Sequence, residues 1–240
     1  MKIVIINYGA GNIQSIMFAI ERLGYKAVLS NNPEEIKSAD KVIFPGVGEA
    51  SYAMNMLKES GLDTLIPTLT QPVFGICFGM QISVIELAKN LLGLKDSNST
   101  ELSKTKNPVV CLIEEWTQGK KILKGEKYKI GGSMRLGSYP AKVKKDSLLY
   151  KIYGNKSLIH ERHRHRYEVN SAYKSMLEKK GVVFSANSPD GKLPEAIELN
   201  NHPWFLGVQF HPELKSRPFS PHKIFISFIQ AAIKNKNLNL

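Results

Sequence analysis

The sequence PVFGICFGMQ, residues 72–81, decides the fold class. Its first half is an apolar run that predicts a buried strand over Val73–Ile76, and its second half opens an amphipathic helix whose apolar positions continue to Leu91. Cys77 stands at the junction, with a glycine two residues away on each side. A sharp strand-to-helix turn around one side chain is typical of a nucleophile elbow. The segment therefore predicts a β-α unit that presents a reactive thiol.

The same alternation of apolar strands and amphipathic helices runs through the residues before this segment. Strands are predicted over residues 2–7, 27–30 and 41–44, and helices over residues 13–23, 33–38 and 49–59. Buried strands that alternate with helices favour a mostly parallel central sheet with helices on both faces. In such a sheet the functional site lies at the carboxyl ends of the strands, where Cys77 is placed.

From about residue 98 the pattern changes to shorter alternating segments, which we interpret as antiparallel additions at the edge of the sheet. They cover residues 109–113, 141–144, 164–170, 182–186, 196–199 and 206–210. A closing amphipathic helix is predicted over residues 223–234. No internal repeat or low-complexity linker divides the chain, so we expect a single α/β domain over residues 1–240.

The composition is that of an ordinary globular protein, with 42% hydrophobic and 22% charged residues among 240. A formal net charge of +12 could indicate a nucleic-acid binder, but the lysines are scattered and form no basic stripe with interleaved aromatics. We expect no nucleic-acid partner; a solvated surface and a basic face that docks an acidic partner both remain open. The opening apolar run is too short for a signal peptide or a membrane span, which predicts a cytoplasmic protein without membrane contact.

The two cysteines receive different interpretations. Cys77 could be a buried structural residue, but the glycine spacing and the strand-to-helix junction favour a nucleophile, because a helix amino terminus stabilises a thiolate. Cys111 lies inside an apolar run and is interpreted as structural. We expect no disulfide, since two cysteines in a chain without an export signal do not form a disulfide framework.

A thiolate that attacks an amide needs a base and a group that orients the base. The sequence QFHPE, residues 209–213, supplies both near the end of a predicted strand. His211 would transfer the proton, and Glu213 would fix the tautomer of His211 and stabilise its charged form.

A second pair of histidines, His163 and His165, alternates with arginines and could face one side of a strand as metal ligands. A third ligand is not evident, and the flanking arginines would repel a cation. We therefore expect neither a metal nor another cofactor.

The tetrahedral intermediate of acyl transfer needs backbone donors for its oxygen. The amide of Phe78, directly after the cysteine, would be one donor. The sequence PGVG, residues 45–48, follows the strand Lys41–Phe44 and would offer the other, because glycines permit the unusual backbone conformation that such a donor requires.

Together these elements resemble the class I (triad) glutamine amidotransferases over nearly the whole chain. Residues 1 to about 70, with NYGAGNI (7–13) and PGVG (45–48), are similar to the glutaminase subunit of imidazole glycerol phosphate synthase. From about residue 72 onward the chain is more similar to the glutaminase domain of CTP synthase. That second resemblance rests on NSTE (98–101), GGSMRLG (131–137), ERHRHRYEVN (161–170), HPWF (202–205) and QFHPELKSRPF (209–219).

The resemblance implies a flavodoxin-like fold and a catalytic triad of Cys77, His211 and Glu213. It places the oxyanion hole at Val47 and Phe78. The implied glutamine contacts are Gly46, Val47, Phe78, Gln81, Glu101 and Arg166. These residue types suit glutamine, whose ammonium group pairs with a carboxylate such as Glu101 and whose carboxylate pairs with a guanidinium such as Arg166.

The expected function is hydrolysis of L-glutamine to glutamate and ammonia through a cysteine thioester. The ammonia would pass to a synthase partner for an amidation like that of CTP synthase. A CTP synthase carries a synthetase region ahead of this domain, so this chain alone is not expected to make CTP. Alternatives are the glutaminase subunit of imidazole glycerol phosphate synthase, a γ-glutamyl hydrolase or related peptidase, and a non-catalytic binding module. CTP synthases have Gly-Gly where this chain has Gly46-Val47, and a β-branched residue resists left-handed geometry. The backbone donor at Val47 is therefore expected to point away from the site until a docked synthase turns it. This departure predicts that a docked synthase accelerates hydrolysis.

Overall fold

The computed structural model describes residues 1–9, 11–46, 50–112, 115–118, 121–124 and 134–238. The strands are β1 (Ile3–Ile6), β2 (Ala27–Ser30), β3 (Lys41–Phe44), β4 (Val73–Ile76), β5 (Ser97–Ser99), β6 (Asn107–Leu112), β7 (Glu115–Gln118), β8 (Lys121–Lys124), β9 (Arg135–Val143), β10 (Leu158–His165), β11 (Tyr167–Val169), β12 (Val182–Asn187), β13 (Pro194–Leu199) and β14 (Phe205–Val208). The helices are α1 (Ile13–Glu21), α2 (Pro33–Lys37), α3 (Ala50–Glu59), α4 (Leu62–Leu65), α5 (Phe78–Leu92), α6 (Leu148–Ile152), α7 (Lys174–Glu178) and α8 (Lys223–Leu238).

The central sheet has nine strands in the order β10-β9-β12-β13-β14-β4-β3-β1-β2. The strands from β14 to β2 are mutually parallel, whereas each pair from β10 to β14 is antiparallel. Strands β5, β6 and β11 form a separate three-stranded sheet, and β7 pairs with β8. The fold is therefore α/β, and its mixed central sheet has a parallel half that carries the elbow and an antiparallel half beside it.

Two layers of apolar side chains cover the two faces of the central sheet. One layer includes Val4, Phe44 and Val84, and the other includes Ile5, Phe74 and Phe228. Alternate residues of β1 and β3 therefore enter opposite layers, which explains why these strands are apolar at every position except Lys41, the first residue of β3. Each wholly buried side chain of this size contributes roughly 1.5–3 kcal/mol relative to an exposed one.

The predicted β-α half is confirmed almost residue by residue: strands β2, β3 and β4 have the predicted bounds, and α1 begins at the predicted residue. Three expectations for the second half were wrong. The segment 206–210 is not at an edge, because β14 lies parallel to β4 within the sheet. The segment 164–170 is divided between β10 and β11, and the segment 109–113 belongs to the separate sheet as β6. Among the described residues, no helix is long and apolar enough to cross a membrane.

Candidate active site

Cys77 occupies a strained turn between β4 and α5. Its backbone has φ +50° and ψ −104°, a conformation that residues other than glycine rarely adopt and that costs about 1–3 kcal/mol. The backbone N–H of Cys77 donates to the carbonyl of Val208, with 2.7 Å between nitrogen and oxygen, so the turn is attached to the neighbouring strand β14. The elbow geometry predicted from the sequence is therefore present.

The glycines around Cys77 are required by close backbone contacts. A Cβ atom added to Gly75 would lie 3.0 Å from the carbonyl carbon of Gly79, and one added to Gly79 would collide with the carbonyl oxygen of Phe44. A Cβ atom on Gly46 would collide with the carbonyl oxygen of Ile76 and lie 2.7 Å from the amide nitrogen of Phe78. Segment 45–46, at the end of β3, is thus packed directly against the elbow.

His211 and Glu213 lie beside Cys77 because β14 is the parallel neighbour of β4, with Val208 opposite Ile76. The Nδ1 atom of His211 is 2.8 Å from Oε1 of Glu213, and both side chains are buried. With Nδ1 donating to the carboxylate, Nε2 is left for the thiol side. This nitrogen is buried, and the side chain of His211 interacts with that of Cys77.

The charge state of His211 follows from its surroundings. Burial lowers the pKa of His211, but the negative charges of Cys77 and Glu213 outweigh it and raise that pKa to about 10. The imidazole is consequently protonated at neutral pH when a thiolate stands beside it. This arrangement lets the imidazole hold a proton beside the sulfur, as the base that activates a cysteine nucleophile must.

The amide of Phe78 is available beside the elbow as a backbone donor for an oxyanion. The amide of Phe78 is at the first position of α5, so it has no helical acceptor. Val47, the second predicted donor, lies outside the described residues, whereas Gly46 is buried against Phe78. The hydroxyl of Tyr8 donates to the carbonyl of Pro45 at 2.5 Å and thereby fixes the start of that segment. Burial and the charge of Cys77 both raise the pKa of Tyr8, which keeps this hydroxyl protonated.

The predicted glutamine contact Gln81 lies one helical turn after Cys77, on α5, and is buried. Its Nε2 atom donates to the carbonyl of Tyr167 at 2.8 Å and to Oε1 of Gln209 at 3.2 Å. Both amide hydrogens are therefore engaged inside the protein. If Gln81 contacts a substrate, it does so as an acceptor through Oε1.

Glu101 and Arg166, the predicted partners of the two charged ends of glutamine, both act electrostatically on Tyr167. Burial raises the pKa of the Tyr167 phenol; the charge of Glu101 also raises it, and the charge of Arg166 lowers it. Glu101 is held in a turn after β5 by a hydrogen bond from its backbone N–H to Ser99. Both charges thus act on the same phenol, although the two residues lie 65 positions apart in the sequence.

His163 and His165 share the buried face of β10, as their spacing predicts, but they belong to a polar cluster with Arg135, Glu168 and Glu195. The two rings contact each other, with Nδ1 of His163 2.9 Å from Nε2 of His165.

Burial lowers the pKa of both histidines, and the charge of Arg135 lowers it further. Burial also raises the pKa of Glu168 to about 8 against the effect of Arg135. Within the described residues, no group of three or more His, Cys, Asp or Glu side chains could hold a metal ion.

Sequence reasoning assigned no role to two residues that lie at the site, although both belong to motifs quoted above. Tyr8 anchors Pro45, and Gln209 places its side-chain Nε2 3.6 Å from Sγ of Cys77. A signal was present for Gln209, because its position two residues before His211 puts its side chain on the same side of the chain as the base.

Comparisons with known proteins point to one family. The family model described as "Glutamine amidotransferase class-I" matches residues 4–231. CTP synthase of Hyphomonas neptunium is 57% identical over 168 residues, which cover 70% of this chain and 31% of that protein. CTP synthase of Pelagibacter ubique is 49% identical over 214 residues, which cover 88% of this chain and 38% of that protein. The chain thus spans about a third of the length of these curated relatives.

Among solved structures, the glutaminase domain of Trypanosoma brucei CTP synthase with bound acivicin is similar, with a TM-score of 0.81 and 28% identity. The alignment covers 98% of this chain and 94% of that domain. The match of a family model to most of the residues, together with the elbow and the His–Glu pair, identifies this chain as a member of the class I glutamine amidotransferase family.

Proposed function

We propose that this chain, as one domain over residues 1–240, hydrolyses L-glutamine to glutamate and ammonia and passes the ammonia to a synthase that carries out an amidation like that of CTP synthase. The observation that carries the proposal is the position of Cys77 on the elbow, beside the hydrogen-bonded pair of His211 and Glu213. The similarity to CTP synthases supports the choice of pathway.

The first half of the reaction releases ammonia. The thiolate of Cys77 attacks the side-chain carbonyl carbon of glutamine, and a C–S bond forms while the carbonyl π electrons move to oxygen. The amide of Phe78 and a donor from segment 46–48 stabilise that oxygen. When the intermediate collapses, the C–N bond breaks, and His211 gives its proton to the departing nitrogen.

The second half regenerates the enzyme. Neutral His211 takes a proton from water, and the resulting hydroxide attacks the thioester carbon. The C–S bond then breaks, the electron pair returns to sulfur, and glutamate leaves. Glu213 holds the imidazole in one tautomer throughout and stabilises its charged form.

Recognition of free glutamine is assigned to the residues around Tyr167. Glu101 would bind the substrate ammonium group and Arg166 its carboxylate, with Gln81 and Gly46 close to the reacting amide. Recognition of both charged ends suits free glutamine and disfavours a peptidase that acts on α-linked peptides, in which at least one of these ends is part of a peptide bond. An intact Cys–His–Glu set disfavours a binding module, for which catalysis would be unnecessary.

The turn around Gly11 supports a rate of glutamine hydrolysis that depends on a partner. In the sequence this turn resembles the corresponding part of the imidazole glycerol phosphate synthase glutaminase, which keeps that pathway as the second candidate. A Cβ atom on Gly11 would lie 3.1 Å from Cβ of Pro45, so the turn contacts the segment that leads to the oxyanion donors. A synthase that binds the turn could therefore reposition Val47.

The decisive experiment measures glutamate release from L-glutamine by the purified chain and by Cys77→Ala, each alone and with a candidate synthase. Activity that disappears in Cys77→Ala supports the glutaminase, and stimulation by one synthase identifies the pathway. Equal rates with and without the true partner would contradict the partner dependence. Absence of glutamate under every condition would overturn the proposed function.

A further inference from the structure

The side chain of Gln209 contacts the sulfur that the proposed reaction uses. Its Nε2 atom lies 3.6 Å from Sγ of Cys77, within hydrogen-bond distance for an N–H donor and a sulfur acceptor. Gln209 is wholly buried, and its backbone N–H donates to the carbonyl of Glu195 at 2.9 Å. The backbone of Gln209 is thus anchored to β13, and its carboxamide is shielded from solvent.

The orientation of this carboxamide is determined by a chain of hydrogen bonds. The carbonyl of Tyr167 can only accept, so the nitrogen of Gln81, and not its oxygen, must face it at 2.8 Å. The second hydrogen on that nitrogen then requires an acceptor, which is Oε1 of Gln209 at 3.2 Å. Consequently the nitrogen of Gln209 faces Cys77, and the opposite orientation would place two donors against each other.

We propose that Gln209 is a further catalytic residue, whose side-chain N–H donates a hydrogen bond to the thiolate of Cys77. A hydrogen bond to the charged form of a group favours that form, and bonds to an ionised acceptor are about twice as strong as neutral ones. Charged His211 stabilises the same thiolate through its positive charge, which is lost when the imidazole gives up its proton. The N–H dipole of Gln209 does not change at that step and continues to face the sulfur.

The proposal rests on the proposed function in assigning Gln209 to particular steps. When the thiolate attacks, its electron pair forms the new C–S bond and the negative charge passes to the carbonyl oxygen, so the hydrogen bond from Gln209 weakens. When water opens the thioester, the C–S bond breaks and the electron pair returns to sulfur, so the N–H again faces a developing negative charge. Gln209 therefore stabilises the leaving thiolate in the second half of the reaction.

The chain of amides also links the sulfur to the substrate-recognition residues. Tyr167, whose carbonyl starts the chain, directly follows Arg166, and the charges of Arg166 and Glu101 both act on its phenol. A shift of β11 on glutamine binding would be transmitted through Gln81 to Gln209 and would alter its distance from the sulfur. The chain thus couples occupancy of the recognition residues to the state of the nucleophile.

The test measures the rate of Cys77 alkylation by iodoacetamide as a function of pH, in a Cys111→Ala background so that only one thiol reacts. Gln209→Met removes the donor in a side chain of similar length. We expect its alkylation midpoint to move to higher pH and its rate below the wild-type midpoint to fall by about ten-fold, as the loss of one charge-assisted hydrogen bond implies. Gln71→Met is the matched control, because the side-chain amide of Gln71 is likewise a hydrogen-bond donor, but to the backbone carbonyl of Ile36, outside the site.

Gln209→Asn provides a second, independent variant. It keeps an amide but withdraws it from the sulfur by one methylene group, so it must also raise the midpoint; circular dichroism verifies that each variant is folded. A midpoint unchanged from the wild-type value in a folded Met or Asn variant would overturn the proposal. Alkylation does not require glutamine, so a shifted midpoint in the Gln209 variants, together with no glutamate release by the protein that retains Gln209, would contradict the proposed function and leave the hydrogen bond from Gln209 to Cys77 standing.

Discussion

The Nδ1 atom of His211 lies 2.8 Å from Oε1 of Glu213, and neither side chain is more than 3% exposed. Glu213→Gln preserves the shape of this contact but removes the charge that favours the imidazolium ion. The amide can also present a hydrogen to Nδ1 and stabilise the wrong tautomer. We expect glutamate release to fall by roughly 10³- to 10⁴-fold, the order seen when the orienting acid of a triad is neutralised.

Glu178→Gln is the control for this change, because Glu178 is an exposed residue of α7. Steady-state assays with both variants at saturating glutamine measure the effect. Activity of Glu213→Gln equal to that of the control would mean that Glu213 does not orient the base.

The pH dependence of activity is predicted from the same pair. The folded-state pKa of His211 is about 10, above its ordinary value of 6.5. A raised pKa means that the interactions of charged His211 stabilise the fold fully below pH 6.5 and are lost as the pH rises through about 10. Because the imidazolium also supplies the proton to departing ammonia, kcat/KM should hold above neutral pH and decline near pH 10.

Titration of the imidazole by NMR in wild-type protein and in Cys77→Ala separates the contributions to this pKa. Removal of the thiolate removes the first of the charges that raise it, so the midpoint in Cys77→Ala should be lower. An identical midpoint in both proteins would show that the two side chains do not interact.

Gly46→Ala should damage both stability and activity. The added Cβ would lie 2.6 Å from Cβ of Cys77 and 2.7 Å from the amide nitrogen of Phe78, so the elbow and the segment must separate. We expect a loss of about 1–3 kcal/mol in the free energy of unfolding, as for overpacking elsewhere, together with a fall in kcat because a predicted oxyanion donor is displaced. Urea unfolding and glutamate release measure the two effects.

The control for Gly46→Ala is Gly93→Ala. Gly93 ends α5 with φ +70° and has nothing within 4 Å of an added Cβ. Its substitution costs about 1 kcal/mol of backbone strain and should leave kcat unchanged. If Gly46→Ala retained the wild-type kcat, the close contact with Phe78 would have no catalytic importance.

Prediction from sequence succeeded where local pattern and tertiary structure impose the same requirement. Strand β4, the glycines around Cys77 and the order of the β-α units are each specified by nearby residues, because buried parallel strands are short and apolar. Prediction failed at β14 since its apolar run is equally compatible with an edge and with the middle of a sheet. The neighbour of a strand is decided by contacts distant in sequence, such as that between Val208 and Ile76.

The candidate site divides in the same way. Cys77, His211 and Glu213 could be named from motifs, since each chemical role demands a particular residue type. The donor role that we propose for Gln209 could not, because an amide that accepts from Gln81 and donates to sulfur is recognised only from the direction of its hydrogen bonds. Likewise, no local pattern in the sequence predicts that Tyr8 contacts Pro45.

Lys41 provides a test of the core that is independent of catalysis. Its side chain is wholly buried at the start of β3, with Nζ 4.6 Å from the centre of the Phe228 ring, and it makes no hydrogen bond to a described residue. Burial lowers the pKa of Lys41 from 10.5 to about 7, although the charge of Asp40 opposes this. A depressed lysine pKa means that the folded state disfavours the charged form, so the cost to stability is largest below pH 7 and fades as the pH rises towards 10.5.

Lys41→Met should remove this cost, because methionine fills a similar volume without a charge. We expect the free energy of unfolding to rise by about 1–3 kcal/mol in mildly acidic solution and the difference from wild type to shrink in alkaline solution. Urea unfolding across this pH range measures it, with Lys26→Met as control because Lys26 is exposed. A difference that does not depend on pH would mean that the Lys41 ammonium is not penalised by burial, and that the gain comes from packing against Phe228 alone.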